Sequence, residues 1–184
     1  MKLLITFRCF GRFHKSSRVL GLVLLLSSMN VFAQQTDANA HVSDPENLVR
    51  HLYDQVTFPA GETPDWDYVR TLFIEASTVH MRVSKSETAQ LSLEGWVQDF
   101  ENFIQTANIE TTGFEEKIVT MKTMVFGDIA HILVLYTSYI PGKSKAPREG
   151  VDSFHLIRKE GRWWIVSILN EIPTQDRPKP QVLH

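Results

Sequence analysis

The sequence predicts an α+β domain in which three N-terminal helices pack on a strongly curved, mainly antiparallel sheet. Two observations predict it. The last third of the chain, Lys117 to Phe126, Ile129 to Ile140 and Gly150 to Glu171, is rich in β-branched and aromatic residues and is broken by turn signals. Upstream of it lie three stretches whose apolar residues recur at helical spacing. Helices segregated to one face of an antiparallel sheet make an α+β layer pair. Long strands must twist and curl, so the sheet should wrap the helices and leave a cone-shaped cavity between the two.

The first helix is expected from Asp44-Pro45-Glu46, where Asp44 can cap, Pro45 suits the first helical position and Glu46 favours the positive helix end. Leu48, Leu52, Tyr53 and Val56 make its apolar stripe, and Pro59-Ala60-Gly61 ends it. A second helix should open with Thr63 as cap and Pro64 at its first position, burying Trp66, Val69, Leu72 and Phe73. Thr78 to Ser84 alternates as a short strand, with Val79, Met81 and Val83 on one face and His80 and Arg82 on the other. After a polar excursion, Ser92 caps a third helix from Leu93 to Ala107, with Trp96, Phe100, Phe103 and Ile104 on its apolar side. Residues 108–116 read as a polar connection. Three long strand segments follow, the third folding back on itself at Lys159-Glu160-Gly161-Arg162.

The ends carry different signals. Lys2, Arg8, Arg12, Lys15 and Arg18 precede an apolar run, Val19 to Leu26, and then Val31-Phe32-Ala33. That pattern is a secretory signal over residues 1–33, with an apolar core too short to span a bilayer. Residues 34–43 are expected to be a linker, 44–173 the domain and 174–184 an extended tail. Beyond the leader, 14 Lys and Arg face 21 Asp and Glu, a net charge of −7. This argues against nucleic acid and, once the signal is cleaved, against a membrane surface. The single cysteine, Cys9, lies in the leader, so the mature domain holds neither disulfide nor thiol chemistry. Metal-ligand spacings and phosphate-binding glycine loops are lacking, and no cofactor is expected.

The order of elements resembles the nuclear transport factor 2-like superfamily, which includes ketosteroid isomerases, scytalone dehydratase and polyketide cyclases. The local match runs through Phe126-Gly127-Asp128-Ile129-Ala130-His131, Tyr136, Gly150-Val151-Asp152-Ser153-Phe154 and Gly161-Arg162-Trp163-Trp164-Ile165-Val166-Ser167. The resemblance implies a cone fold with an apolar pocket, and a homodimer through the outer face of the sheet. It implies no particular reaction, because such folds host many functions.

A two-residue turn at Glu160-Gly161 would pair Lys159 with Arg162. Counting outward, Arg158, Leu156, Phe154 and Asp152 then oppose Trp163, Ile165, Ser167 and Leu169, with Glu171 beyond on the same face. The resemblance implies that the first Trp of this hairpin points toward the helices, which brings Asp152 and Glu171 to the cavity. A slip of one residue would reverse the assignment. Asp152, among apolar neighbours, is a candidate general acid or base, or else an ion-pair partner of Arg148 or Arg82. His80 and His131 are candidates for proton transfer, or hydrogen-bonded structural residues. Tyr53, Trp66, Trp96, Phe100, Tyr136, Phe154 and Glu171 are the candidate pocket, suited to a small apolar or aromatic ligand. The leading functional expectation is an exported small-molecule-binding domain. The alternatives are an isomerase, dehydratase or cyclase with Asp152 or a histidine as proton shuttle, and a non-catalytic dimerisation or partner-binding module.

Overall fold

The computed structural model describes residues 40–184, so the expected signal over residues 1–33 lies outside the described residues. Helix α1 spans Pro45–Val56. The Asp44 carboxylate accepts from the Asn47 backbone N–H at 3.0 Å, and Pro45 fills the first turn. Leu48, Val49, Leu52, Tyr53 and Val56 are buried along one face. The chain then turns extended at Thr57. Its hydroxyl donates to the Glu116 carbonyl at 3.1 Å and accepts from the Glu116 N–H at 2.9 Å. A two-residue strand β1, Phe58–Pro59, follows.

Helix α2 is a single short run, Trp66–Arg70, capped by Asp65 rather than Thr63. The Asp65 carboxylate takes the Tyr68 N–H at 3.0 Å, so Pro64 stays outside the helix. Phe73 does not belong to this helix. It opens β2, Phe73–Arg82, because its backbone pairs with the last long strand at Ile165. An irregularity between Phe73 and Thr78 hides the first half of β2 from an alternation pattern. Buried Ser77 is satisfied there by the carbonyls of Ile74 and Ile165, at 2.7 and 2.8 Å. Part of the expected polar excursion is a short edge strand β3, Thr88–Ser92. Helix α3, Leu93–Thr106, starts where expected, with the Ser92 hydroxyl accepting from the Gly95 N–H at 3.1 Å.

The long strands are β4 Gly113–Phe126, β5 Ile129–Tyr139, β6 Arg148–Lys159 and β7 Arg162–Glu171. β4 starts inside the stretch read as a polar connection. The seven strands form one unclosed, curved sheet in the order β1-β4-β5-β6-β7-β2-β3, with the three helices packed on it. All pairs are antiparallel except β2 with β7. The core lies between α1, α3 and the concave side of the sheet, where Val134, Phe154, Trp163 and Ile165 are buried against Leu48 and Val97.

The β6–β7 turn is the expected two-residue turn. Glu160 and Gly161 both have left-handed backbones, φ 56° and 79°, the geometry that matches the twist of a tight hairpin. Pairing follows the predicted register from Lys159↔Arg162 to Leu156↔Ile165. It then slips at a β-bulge, where Val166 is passed over and His155 pairs with Ser167. From there Phe154 opposes Ile168, Asp152 opposes Asn170 and Val151 opposes Glu171. One extra residue turns every later side chain of β7 to the other face. Trp163 still points to the helices and is 3% exposed.

The packed chain begins before Asp44: Val42 is buried and its carbonyl accepts from the Trp163 N–H at 2.8 Å. The tail is not a free extension either. Arg177 pairs with Glu171 at the end of β7, and Lys179 with Glu149 on β6, at 3.0 and 2.7 Å. A short 3-10 turn, Gln181–Leu183, then packs against β4. The tail thus crosses the outer face of the sheet. Leu183 is 2% exposed, and Leu135, which points outward from β5, is 1% exposed. Leu183→Ala is therefore expected to cost about 2 kcal/mol, the low end for a buried leucine. Urea unfolding of residues 34–184 measures this, and an unchanged midpoint would mean the tail is not fastened.

Candidate functional site

A cavity of about 220 Å³ lies between α1, α3 and the concave face of the sheet. Each wall is set by local pattern. Tyr53 comes from the buried stripe of α1, and Trp96 and Phe100 from the half-buried flank of α3. Tyr136, Phe154 and Ile168 come from inward positions of β5, β6 and β7. The mouth lies beside Asp99 and Phe103, both exposed.

The base of the cavity is polar and connected. The Tyr53 hydroxyl donates to Asp152 Oδ2 at 2.5 Å. The Asn170 amide donates to Asp152 Oδ1 at 2.7 Å and to the Tyr136 hydroxyl at 2.9 Å. Glu116 enters from β4 and shares the same space. Burial pushes the Asp152 carboxyl up to about 6, although the hydrogen bonds from Tyr53 and Asn170 pull it back. Glu116 has no such donors. Burial, with the Asp152 charge behind it, pushes Glu116 up to about 8. Burial and the Asp152 charge also raise Tyr53 and Tyr136 above the ordinary phenol range, so both hydroxyls stay protonated and act as donors or acceptors. Near neutral pH the base therefore holds one carboxylate, Asp152, and one neutral acid, Glu116.

The sequence candidates divide between the two faces. Asp152, Tyr53, Trp96, Phe100, Tyr136 and Phe154 meet in the cavity. Trp66 sits behind it, edge-on to Trp96 at 6.2 Å and tilted on Phe100 at 5.2 Å. Glu171 does not reach the cavity: the bulge at Val166 turns it outward, to Arg82 at 3.4 Å and Arg177 at 3.0 Å. His80 and His131 also lie on the outer face. His80 borders a shallow groove with Arg82 and Ser153. His131 bonds the Ser153 hydroxyl at 2.9 Å and stacks on His155 at 5.2 Å, and burial and that neighbour lower its pKa. Neither histidine can exchange a proton with a ligand held against Asp152. Among the described residues, no three His, Cys, Asp or Glu side chains group closely enough to hold a metal ion.

Asn170 and Glu116 are the residues that sequence reasoning missed. Asn170 is hidden by the bulge. Glu116 had a readable signal: Phe114, Glu116 and Ile118 alternate with Glu115 and Lys117, a strand pattern running straight into β4.

Helices laid across an unclosed, curved sheet around a one-ended cavity define the nuclear transport factor 2-like, or cystatin-like, fold, and this chain has it. No family model and no curated protein matches the chain. Solved structures match by shape. One is an NTF2-like protein with a cystatin-like fold from Novosphingobium aromaticivorans, with TM-score 0.56 and 12% identity, over 85% of this chain and 94% of that one. Another, an NTF2-like protein of unknown function from Pseudomonas putida, has TM-score 0.53 and 12% identity, over 77% and 92%. A third, of unknown function, from Nostoc punctiforme, has TM-score 0.53 and 12% identity, over 71% and 89%. At such identities the likeness speaks for the fold alone.

Proposed function

We propose that this chain is an exported small-molecule-binding protein whose ligand occupies the cone cavity. One observation carries the reading: polar groups from α1, β4, β5, β6 and β7 converge at the base of an otherwise apolar, aromatic-lined pocket. Export rests on the basic and apolar pattern of residues 1–33. The test is an experimental structure of the mature chain purified from its own host, together with a thermal-shift screen. Trapped density against Asp152 and a shift with at least one compound class are expected. A dry, collapsed cavity and a flat screen would count against the reading.

A second reading, proton transfer on a carbonyl ligand, has support from one feature. Asp152 titrates near 6 and is held by two donors, so it can take a proton near neutral pH and be re-formed. Under that reading Asp152→Asn loses turnover of a carbonyl substrate by at least about 100-fold. Full activity in the variant would remove Asp152 from the role.

The homodimer belongs to the same proposal, on the part of the outer face that the tail leaves open. Met124, Phe126, Ile129 and Ile157 are exposed there. Sedimentation of the mature chain is expected to give a dimer that Ile129→Lys splits into monomers.

A further inference from the structure

We propose that the cavity takes a small organic cation, an ammonium group on an apolar body, seated against Glu116 and Asp152 with aromatic rings around it. This rests on reading the cavity as a binding site and goes on to give its ligand a charge.

The lining carries three carboxyl groups, Asp99 at the mouth and Glu116 and Asp152 at the base, and no group among the described residues that could offset them. Among the described residues that line it, none is Lys, Arg or His. Arg148, at the start of β6, acts on Tyr136 through its charge but does not line the cavity. An anionic ligand would meet charge of its own sign with nothing to offset it. A neutral apolar ligand would leave the half-buried Glu116 carboxyl, which lines the cavity and makes no side-chain hydrogen bond among the described residues, without a counter-charge. An ammonium group supplies that counter-charge. Asp152 spends one bond on each oxygen, toward Tyr53 and Asn170, and each oxygen keeps further acceptor capacity. The rings of Tyr53, Trp96, Phe100 and Tyr136 line the same space, and aromatic rings attract a cation. A volume of about 220 Å³ is below the roughly 300 Å³ at which drug-sized ligands begin, so the cation is small.

Glu116 ties this to pH. The groups facing it are Tyr53 from α1, Asp99 from α3, Tyr136 from β5, Asp152 from β6 and Asn170 from β7. Thr57 holds its backbone. None is a cation, so a bound ammonium becomes its counter-charge and favours its ionised form. Binding must then release a proton, and affinity must rise with pH.

The experiment is calorimetric titration of the mature chain with benzyltrimethylammonium, whose charge does not titrate, with benzyl alcohol and with benzoate. The cation is expected to bind roughly tenfold or more tightly than the alcohol, and benzoate not to bind measurably. Affinity for the cation should rise between pH 6 and pH 9, with buffer-dependent heats that report proton release. Glu116→Gln should remove most of that rise. If the alcohol or benzoate binds as well as the cation, the charge assignment is overturned and the binding pocket stands. If no probe binds, and the chain purified from its host holds nothing in the cavity, both readings fall.

Discussion

Replacing Gly150 with alanine is expected to lower stability by about 4 kcal/mol and to dismantle the polar base of the cavity. Gly150 lies directly opposite Tyr136 in the β5–β6 ladder. The Tyr136 ring lies over the Gly150 backbone so closely that a Cβ at position 150 would overlap its Cζ and hydroxyl. The glycine is therefore a seat for the ring, an arrangement in which an aromatic covers a strand glycine. The overlapping atoms belong to a ring 7% exposed and wedged against Tyr53 at 5.7 Å, so it has little room to yield. Overpacking of this kind costs up to about 3 kcal/mol. Moving the ring also breaks the bond from Asn170 to the Tyr136 hydroxyl, for about 1 kcal/mol more. Urea unfolding measures the loss. The double variant with Tyr136→Ala separates the causes: if the ring is the obstacle, alanine at position 150 costs much less once the ring is gone. An equal cost in both backgrounds would place the penalty in the β6 backbone.

The same pair shows what was legible in the sequence. The three helices, the Asp44 and Ser92 caps and the Glu160-Gly161 turn follow from local rules, in which a cap, a turn or a stripe is written in neighbouring residues, whereas the inward direction of Trp163 follows from the family resemblance. The inward set Tyr53, Trp96, Phe100, Phe154 and Asp152 follows from helical spacing and from counting along β6 with the hairpin oriented by the resemblance. Glu116 was overlooked within a regular alternation, but two other failures lie where the chain departs from a simple period. The bulge at Val166 exchanges Asn170 for Glu171 in the cavity, and no residue type around it announces a bulge. The irregular start of β2 hides five residues of strand for the same reason. The outward placement of His80 and His131 was implicit in alternation: His80 opposes Val79, and His131 lies between Ala130 and Ile132. The tail's hold on the sheet was not legible because it is built from scattered pairs, Arg177–Glu171 and Lys179–Glu149, that only the fold brings together.

Stability of the folded domain is expected to fall as pH rises from 5 to 8, and Glu116→Gln is expected to flatten that fall. In the unfolded chain Asp and Glu release their protons near pH 4. In the folded chain Asp152 holds its proton to about 6 and Glu116 to about 8. Between those limits the folded state binds more protons than the unfolded one, so stability declines with pH. The contribution of the two groups is complete below about pH 4 and is lost as pH rises through 6 and then 8. Paired surface carboxylates act in the opposite sense, as Glu94 does beside Arg70, but they are exposed and contribute little. One pKa unit corresponds to about 1.4 kcal/mol. With water entering the open cavity, Glu116→Gln is expected to gain about 2 kcal/mol over the parent at pH 8 and almost nothing at pH 5. Asp152→Asn behaves differently. It keeps one oxygen for two donors, so either Tyr53 or Asn170 loses its acceptor, and the variant is about 1 to 3 kcal/mol less stable even at pH 5. Chemical denaturation across pH 5 to 8 separates the two variants. An unchanged slope in Glu116→Gln would mean that this carboxyl does not hold its proton in the cavity. Benzyltrimethylammonium supplies the converse arm: a cation that replaces the missing proton must stabilise the parent more at pH 8 than at pH 5, and the Gln variant nearly equally at both.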